Sequence, residues 1–284
     1  MEASLVTGVL VPLALGAIMF ALGLGLSIED FTRVAKMPRA VFVGLGTQML
    51  LLTAVAYVVA RLFQLSPHLA TGLMIIAASP GGAAACLYSR LARGDVALNL
   101  TLTALNSLLA LVWLPLVVAW SLAHFFDAGQ HVPPPTQEIV KVAALIVLPV
   151  AAGMTVRRFA PEFCRRAEQP TRYFAVLGLA ALVATVIVEV GDSFLQFVVQ
   201  AGPAVITFNV VSLALGYAVP RWAGLPRFQS KAIALEIGLH NGALAIFVAL
   251  SVLRDSEIAI APVVYGVLMF VTGGLFSAWL ARRH

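Results

Sequence analysis

Nine apolar segments follow one another along this chain, and each is long enough to cross a lipid bilayer as a helix. A bilayer core of about 30 Å needs about 20 mainly apolar residues per helix. Only 11% of the residues are charged and 61% are hydrophobic, whereas about 25% are charged in a typical globular domain. The sequence therefore predicts an all-α polytopic membrane protein with nine transmembrane helices, roughly at 5–27, 39–63, 69–89, 96–124, 138–156, 172–191, 199–220, 230–253 and 258–281.

The basic residues predict the orientation of these helices. With the N-terminus outside, 15 of the 18 Lys and Arg residues fall in inside loops, and only Arg61, Lys141 and Arg254 fall outside. Cytoplasmic loops carry such an excess of Lys and Arg, so the net charge of +5 needs no nucleic-acid partner. We predict a multi-pass protein of the cell inner (plasma) membrane with a cytoplasmic C-terminus. The first segment is interpreted as a span, because it is too long for a cleaved signal and lacks a basic start.

A weak internal repeat predicts two related halves. An offset of 160 residues maps Tyr57, Val59, Arg61, Leu65 and Gly82 onto Tyr217, Val219, Arg221, Leu225 and Gly242. It carries the hairpin of spans 2 and 3 onto the oppositely oriented hairpin of spans 7 and 8. Inverted repeats of this kind are common in secondary transporters. We therefore predict one transporter domain, with repeat one at 1–124 (four spans) and repeat two at 138–284 (five spans).

Two of the predicted spans contain residues that interrupt a helix. Span 3 contains Ser79-Pro80-Gly81-Gly82, in which Pro removes a backbone donor and Gly permits unusual backbone angles. Span 8 places Glu236, His240 and Asn241, together with two glycines, at mid-membrane depth. Free N–H groups at the start of a half-helix attract anions, and free carbonyls at the end of one attract cations. Two facing breaks therefore predict a joint site for an anion and a cation.

Glu236 is the most informative side chain, because it alone among the 13 acidic residues lies deep inside a span. A carboxylate there costs about 2.5–3.5 kcal/mol on insertion scales. This cost favours ion or proton binding over a protonated Glu that merely bonds a neighbouring helix. His240 follows one turn later, on the same face if the helix persists, and a neutral histidine bonded within the protein is an equal alternative. A zinc site is disfavoured, since there is no H-E-x-x-H and no third strong ligand.

Further polar side chains lie within the apolar spans. Gln48 lies in span 2 and Asn209 in span 7, and each could simply bond a neighbouring helix. Asn99, Thr103 and Asn106 in span 4 are spaced by four and three residues. They therefore share one helix face, which favours a lined cavity over scattered contacts.

Two sequence motifs resemble the signatures of the bile acid:sodium symporter family. Pro80-Gly81-Gly82, followed by ARGDVAL at 92–98 and by Thr103, resembles the central signature. EIGL at 236–239 with Asn241 resembles the second signature, and the resemblance covers nearly the whole chain. It implies an inverted-repeat transporter with core and panel domains and two broken helices that cross at the sodium site. Bacterial members often have one more helix at the N-terminus, which this chain is expected to lack.

The resemblance also implies two sodium sites. One consists of Gln48, Glu236, His240 and the carbonyls of Ile237 and Leu239, with His240 where the family usually has Gln. The other would use Glu236, Asn99 and Thr103, but Ala85 and Cys86 stand where the family has a Ser-Asn pair. A methyl group and a thiol offer the hard Na⁺ ion no oxygen ligand, which puts the second site in doubt.

The resemblance further implies where a substrate binds. The expected substrate-binding residues are Pro80, Gly81, Gly82, Ala83, Asn241 and Gly242 at the two breaks, with Asn209 and Met269. Met269 and Phe270 replace a His-Asn pair that the family associates with bile-acid binding, which disfavours a bile acid as the natural substrate.

These features together predict a secondary symporter, not an enzyme, that couples inward Na⁺ movement to uptake of a small organic anion such as a carboxylate. No cofactor is expected. A proton could replace Na⁺, because histidine can exchange a proton near neutral pH. An intramembrane hydrolase that holds a metal at Glu236 and His240 is a less favoured alternative, as is a receptor-like binding protein without transport.

Overall fold

The computed structural model describes residues 11–126 and 136–282, and nearly all of them are helical. This confirms the predicted all-α class. The part of the predicted first span that precedes residue 11 lies outside the described residues. The helices are α1 (Val11–Gly25), α2 (Ile28–Thr32), α3 (Pro38–Leu62), α4 (Pro67–Ala78), α5 (Ala83–Leu91), α6 (Val96–Phe125), α7 (Thr136–Phe159), α8 (Pro161–Val190), α9 (Phe194–Trp222), α10 (Arg227–Gly238), α11 (Gly242–Leu253) and α12 (Ile260–Ala281).

Several of these helices are suited to a membrane, as expected for a multi-pass protein. Among the described residues, four helices are long and apolar enough to cross a bilayer, namely α3, α6, Leu177–Trp222 and α12. A fifth span would arise from the pair Leu15–Gly25 and Ile28–Lys36, which is bent by 71°. The helices α4 and α11 are apolar but shorter, because each belongs to a segment that is interrupted. The number of nine spans stays a prediction.

Side-chain caps explain where two of the core helices begin. The hydroxyl of Ser66 accepts a hydrogen bond from the Leu69 backbone N–H just before Pro67 opens α4. The carboxylate of Asp95 accepts one from the Leu98 N–H at 3.0 Å at the start of α6. Such caps satisfy backbone donors that have no partner within the helix. The residue that immediately precedes each helix therefore helps to determine where α4 and α6 begin.

The helices form two groups that pack mainly within themselves. One group, which we call the panel, consists of α1, α7 and α8. The other group, the core, consists of α3–α6 and α9–α12, and the two groups meet chiefly where α11 touches α1 and α8. The broken segments α4–α5 and α10–α11 both belong to the core. One of the two breaks is therefore next to the boundary between the groups.

Glycines allow the panel helices α1 and α7 to cross in backbone contact. A Cβ atom on Gly23 would overlap the carbonyl of Val150, and one on Gly153 would overlap the carbonyl of Phe20 and lie 2.7 Å from the Leu24 nitrogen. Small residues permit such close approach between membrane helices. The panel is therefore tightly packed along this crossing.

We expect Gly153→Ala to lower the free energy of unfolding by about 1–3 kcal/mol, because the added methyl group would meet rigid backbone rather than a movable side chain. Thermal unfolding of the purified protein in detergent measures this change. Gly202→Ala is the matched control, since a Cβ there would meet nothing within 4 Å. Equal unfolding temperatures for the two variants would contradict the close crossing.

Candidate functional site

The two predicted interruptions are present as short extended segments between half-helices. In the first, α4 ends at Ala78, Ser79 is extended with φ −75° and ψ 143°, and α5 begins at Ala83. In the second, α10 ends at Gly238 and α11 begins at Gly242. Pro80 lacks an N–H and so cannot continue the hydrogen-bond pattern of α4. The breaks therefore follow from residues that a continuous helix does not favour.

The two extended segments pair with each other through their backbones. The Gly82 N–H donates to the Leu239 carbonyl at 2.7 Å, and the Asn241 N–H donates to the Pro80 carbonyl at 2.8 Å. Gly81 and His240 form an isolated antiparallel bridge between these bonds. Unwound backbone inside a membrane must find partners within the protein. Each break supplies partners for the other, so the crossing is a mutually dependent unit.

Glu236 lies in α10 and packs its carboxyl group directly against the break in the other helix. Its side chain is fully buried, and Oε2 lies 2.7 Å from the Thr103 hydroxyl. A Cβ atom on Gly81 would overlap this carboxyl group. The Asn106 amide and the Gly81 backbone also face it, but Oε1 lacks a hydrogen bond of normal geometry. The Glu236 carboxyl group thus retains an oxygen able to bind a further group.

Gln48 reaches the same region from α3. It lies in a π-helical turn at Thr47–Leu51, and its Nε2 donates to the Ser79 carbonyl at 3.0 Å. Its Oε1 is buried without a hydrogen-bond partner. A small crevice here is lined by Gln48, Met49, Ala77, Ala78, Ser79, Pro80, Asn106, Ala110 and Trp113. Asn106 therefore belongs both to this crevice and to the surroundings of Glu236.

Asn99 and Cys86 lie close together between α5 and α6. The Cys86 thiol donates to Asn99 Oδ1 at 2.9 Å, and Asn99 Nδ2 donates to the Ala232 carbonyl at 3.1 Å. Ala85 is buried beside them. The Asn99 amide is thus hydrogen-bonded through both its oxygen and its nitrogen. On this side of the site, the polar atoms of Asn99 are used in hydrogen bonds that join α6 to α5 and α10.

His240 does not follow Glu236 on a shared helix face, because α10 ends at Gly238. Its Nδ1 lies 2.7 Å from the Tyr265 hydroxyl, which donates to the Gly238 carbonyl at 2.8 Å. With the single proton of that hydroxyl directed to Gly238, Nδ1 donates to the hydroxyl and Nε2 keeps a free lone pair. Nε2 has no hydrogen-bond partner. The ring packs near Phe208, so it faces α9 and α12, whereas Glu236 faces α6.

Tyr265 was not singled out from the sequence, although a buried tyrosine hydroxyl usually requires a partner. We expect Tyr265→Phe to lower the free energy of unfolding by about 1–3 kcal/mol, because His240 Nδ1 would lose its buried acceptor. Thermal unfolding in detergent measures this loss. Tyr217→Phe is the control, since the Tyr217 hydroxyl has no hydrogen bond within the described part of the chain. An equal effect of both substitutions would contradict the network.

The other predicted site residues fall into two groups. Pro80, Gly81, Gly82, Ala83, Asn241 and Gly242 are brought together at the crossing, where Asn241 Oδ1 accepts from the Leu244 N–H at 3.1 Å and so caps α11. Asn209 joins the His240 network instead, since its Nδ2 donates to the Gly238 carbonyl at 2.9 Å. Met269 is buried in the packing of α12. The carbonyls of Ile237 and Leu239 lie at and just beyond the end of α10, where Leu239 already accepts from Gly82.

Comparison with known proteins places this arrangement among transporters. A sequence profile of the sodium bile acid symporter family matches residues 12–197. The chain is 26% identical over 271 residues to the uncharacterized sodium-dependent transporter YocS of Bacillus subtilis (strain 168), covering 95% of this chain and 82% of that protein.

A plant relative and a human relative are also named as sodium-coupled cotransporters. The chain is 28% identical to the probable chloroplastic sodium/metabolite cotransporter BASS2 of Oryza sativa subsp. japonica, covering 95% of this chain and 63% of that protein. It is 25% identical to the ileal sodium/bile acid cotransporter of Homo sapiens, covering 96% of this chain and 79% of that protein. These similarities indicate a transporter rather than an enzyme, so the hydrolase alternative is excluded.

Proposed function

Given that the chain belongs to the sodium bile acid symporter family, we propose that it is a sodium-coupled symporter for a small organic anion. The observation that carries this proposal is the fully buried Glu236 carboxyl group packed against the break in the opposite helix. A buried carboxylate is costly unless a positive charge accompanies it. A bound cation would neutralise it and hold the two broken helices together.

The proposed cation site lies at the crossing, on the side of Gln48. Carboxylate and carbonyl oxygens suit a hard cation. The unpaired Oε1 atoms of Gln48 and Glu236 would supply two such ligands. The remaining proposed ligands are the carbonyls of Ile237 and Leu239 and the unpartnered Nε2 of His240, since its Nδ1 is already bonded to Tyr265. These residues come from the second broken segment and from α3, and both parts contact the first break, through Gln48–Ser79 and Leu239–Gly82, so cation binding would depend on the crossing being formed.

The proposed anion site uses the starts of the half-helices. The residues Gly82, Ala83, Asn241 and Gly242 stand where α5 and α11 begin, and helix N-termini favour negative charge. A carboxylate bound there would be next to the cation, which explains why the two would be carried together. Movement of the core against the panel would then expose the site alternately to each side.

Uptake into proteoliposomes tests the proposal. With a Na⁺ gradient imposed at constant pH, we expect stimulated uptake of a carboxylate that has first been selected by a thermal-stability screen. The screen compares pantoate-like, 2-oxo and sterol acids with and without Na⁺. If no carboxylate is both stabilising and transported in a Na⁺-dependent manner, the proposal is wrong. Reporter fusions to the C-terminus test the proposed cytoplasmic location of that end in the inner (plasma) membrane.

Proton coupling is the second candidate, and one contact favours it. The Thr103 hydroxyl lies 2.7 Å from Glu236 Oε2 and 3.0 Å from the Asn99 carbonyl, yet it has a single proton. If that proton goes to Asn99, a protonated Glu236 would donate to Thr103. Uptake that ignores Na⁺ but increases with an inward proton gradient would favour this candidate over sodium.

A further inference from the structure

Free polar atoms are distributed unequally around Glu236, and from this we infer that the protein binds one coupling cation in each transport cycle rather than two. This inference rests on the proposed function and concerns its stoichiometry. It assigns Thr103 to the positioning of Glu236 and Asn99 to the contact of α6 with α5 and α10, whereas the family resemblance implies that they bind a second cation.

Unpaired atoms are found on the side of Gln48. The Oε1 atoms of Gln48 and Glu236 are buried without hydrogen-bond partners. Both residues face Asn106, the first across the crevice and the second at its carboxyl group. Buried polar atoms are normally paired, so unpaired oxygens on two residues that both adjoin Asn106 point to a ligand. A single cation would satisfy both.

The side of Asn99 offers no such atoms. Asn99 Oδ1 is occupied by the Cys86 thiol, and Asn99 Nδ2 by the Ala232 carbonyl. The Thr103 hydroxyl is engaged by both Glu236 and the Asn99 carbonyl. A cation here would have to break these contacts and accept a thiol as a neighbour, and thiols suit soft metals rather than Na⁺. The residues present therefore do not fit a second sodium ion.

The stoichiometry determines how steeply the anion can be accumulated. With one cation for each monovalent anion, an about tenfold Na⁺ gradient supports at most about tenfold accumulation, whereas two cations would allow about a hundredfold. One Na⁺ with one monocarboxylate also carries no net charge. Transport of a monocarboxylate would then be independent of membrane voltage.

Equilibrium binding of ²²Na⁺ to the purified protein tests the inference without a known substrate. We expect one Na⁺ per chain and a Hill coefficient of about 1. Two Na⁺ per chain would overturn the inference and leave the proposed function standing. No Na⁺ bound would overturn both, so the two failures are distinguishable. The number of Na⁺ ions bound per unmodified chain tests the inference even if a variant fails to fold.

The double variant Ala85→Ser/Cys86→Asn tests whether Ala85 and Cys86 are the reason that a second Na⁺ does not bind. It replaces the methyl group and the thiol with oxygen ligands, and we expect it to bind a second Na⁺ with a Hill coefficient above about 1. Cys164→Asn changes the other free cysteine, which lies in α8, and should leave the count at one. A double variant that folds and still binds one Na⁺ would contradict the role assigned to Ala85 and Cys86.

Discussion

Glu236→Gln is expected to abolish Na⁺ binding and Na⁺-driven uptake while leaving the protein folded. Removing one partner of a buried, hydrogen-bonded charge pair costs about 2–5 kcal/mol, so Na⁺ affinity should fall at least about 30-fold. The amide has the same shape as the carboxyl group. It also avoids the cost of about 2.5–3.5 kcal/mol for an acid in the membrane. The unfolding temperature without Na⁺ should therefore not decrease.

Binding of ²²Na⁺ and thermal unfolding with and without NaCl measure these effects. Glu189→Gln is the matched control, because Glu189 also follows an apolar helix segment but its side chain is exposed. It should retain Na⁺ binding. If Glu236→Gln retained Na⁺-driven uptake, the carboxyl group could not be the coupling site, and the mechanism would have to be abandoned.

Gly81→Ala should disrupt the crossing itself. A Cβ atom on Gly81 would overlap the Glu236 carboxyl group, and it would lie 2.7 Å from Oε2. The backbone cannot easily shift, since the Gly82–Leu239 and Asn241–Pro80 hydrogen bonds flank it. We expect the free energy of unfolding to decrease by about 1–3 kcal/mol, and Na⁺ binding to be lost because the carboxyl group is displaced.

The neighbouring glycine provides a control at the same depth. A Cβ on Gly82 would lie 3.1 Å from the His240 carbonyl oxygen, so Gly82→Ala should be milder. Glu236→Asp shortens the side chain, and combining it with Gly81→Ala should cost less stability than the sum of the two single changes. Strict additivity of unfolding free energies would show that Gly81 and Glu236 are not in contact.

Much of the fold could be predicted from the sequence because lipid imposes simple local constraints. Backbone groups in a bilayer must be satisfied within the chain, so long apolar segments predict helices. Pro80 and the two glycines that follow it predict where a helix stops. Glu236 is conspicuous because an acidic side chain inside a membrane is costly and is therefore expected to bind an ion or a proton. These predictions require only residue types and spacing.

Relations between distant segments could not be predicted in the same way. Thr103 and Glu236 are 133 residues apart in the chain and only 2.7 Å apart in space. The expectation that His240 shares a face with Glu236 was valid only for a continuous helix. Tyr265 lies 25 residues beyond His240, and its spacing gives no sign of the contact.

The sequence by itself determined that this chain forms membrane helices, where two of them are interrupted, and which acidic side chain lies deep inside a span. Only the tertiary structure decided that the two breaks pair through their backbones. It also decided that His240 turns toward Tyr265 and that Cys86 occupies the oxygen of Asn99. The physical reason is that helix formation depends on neighbours along the chain, whereas a buried polar atom takes whichever partner the packing of distant helices brings within about 3 Å.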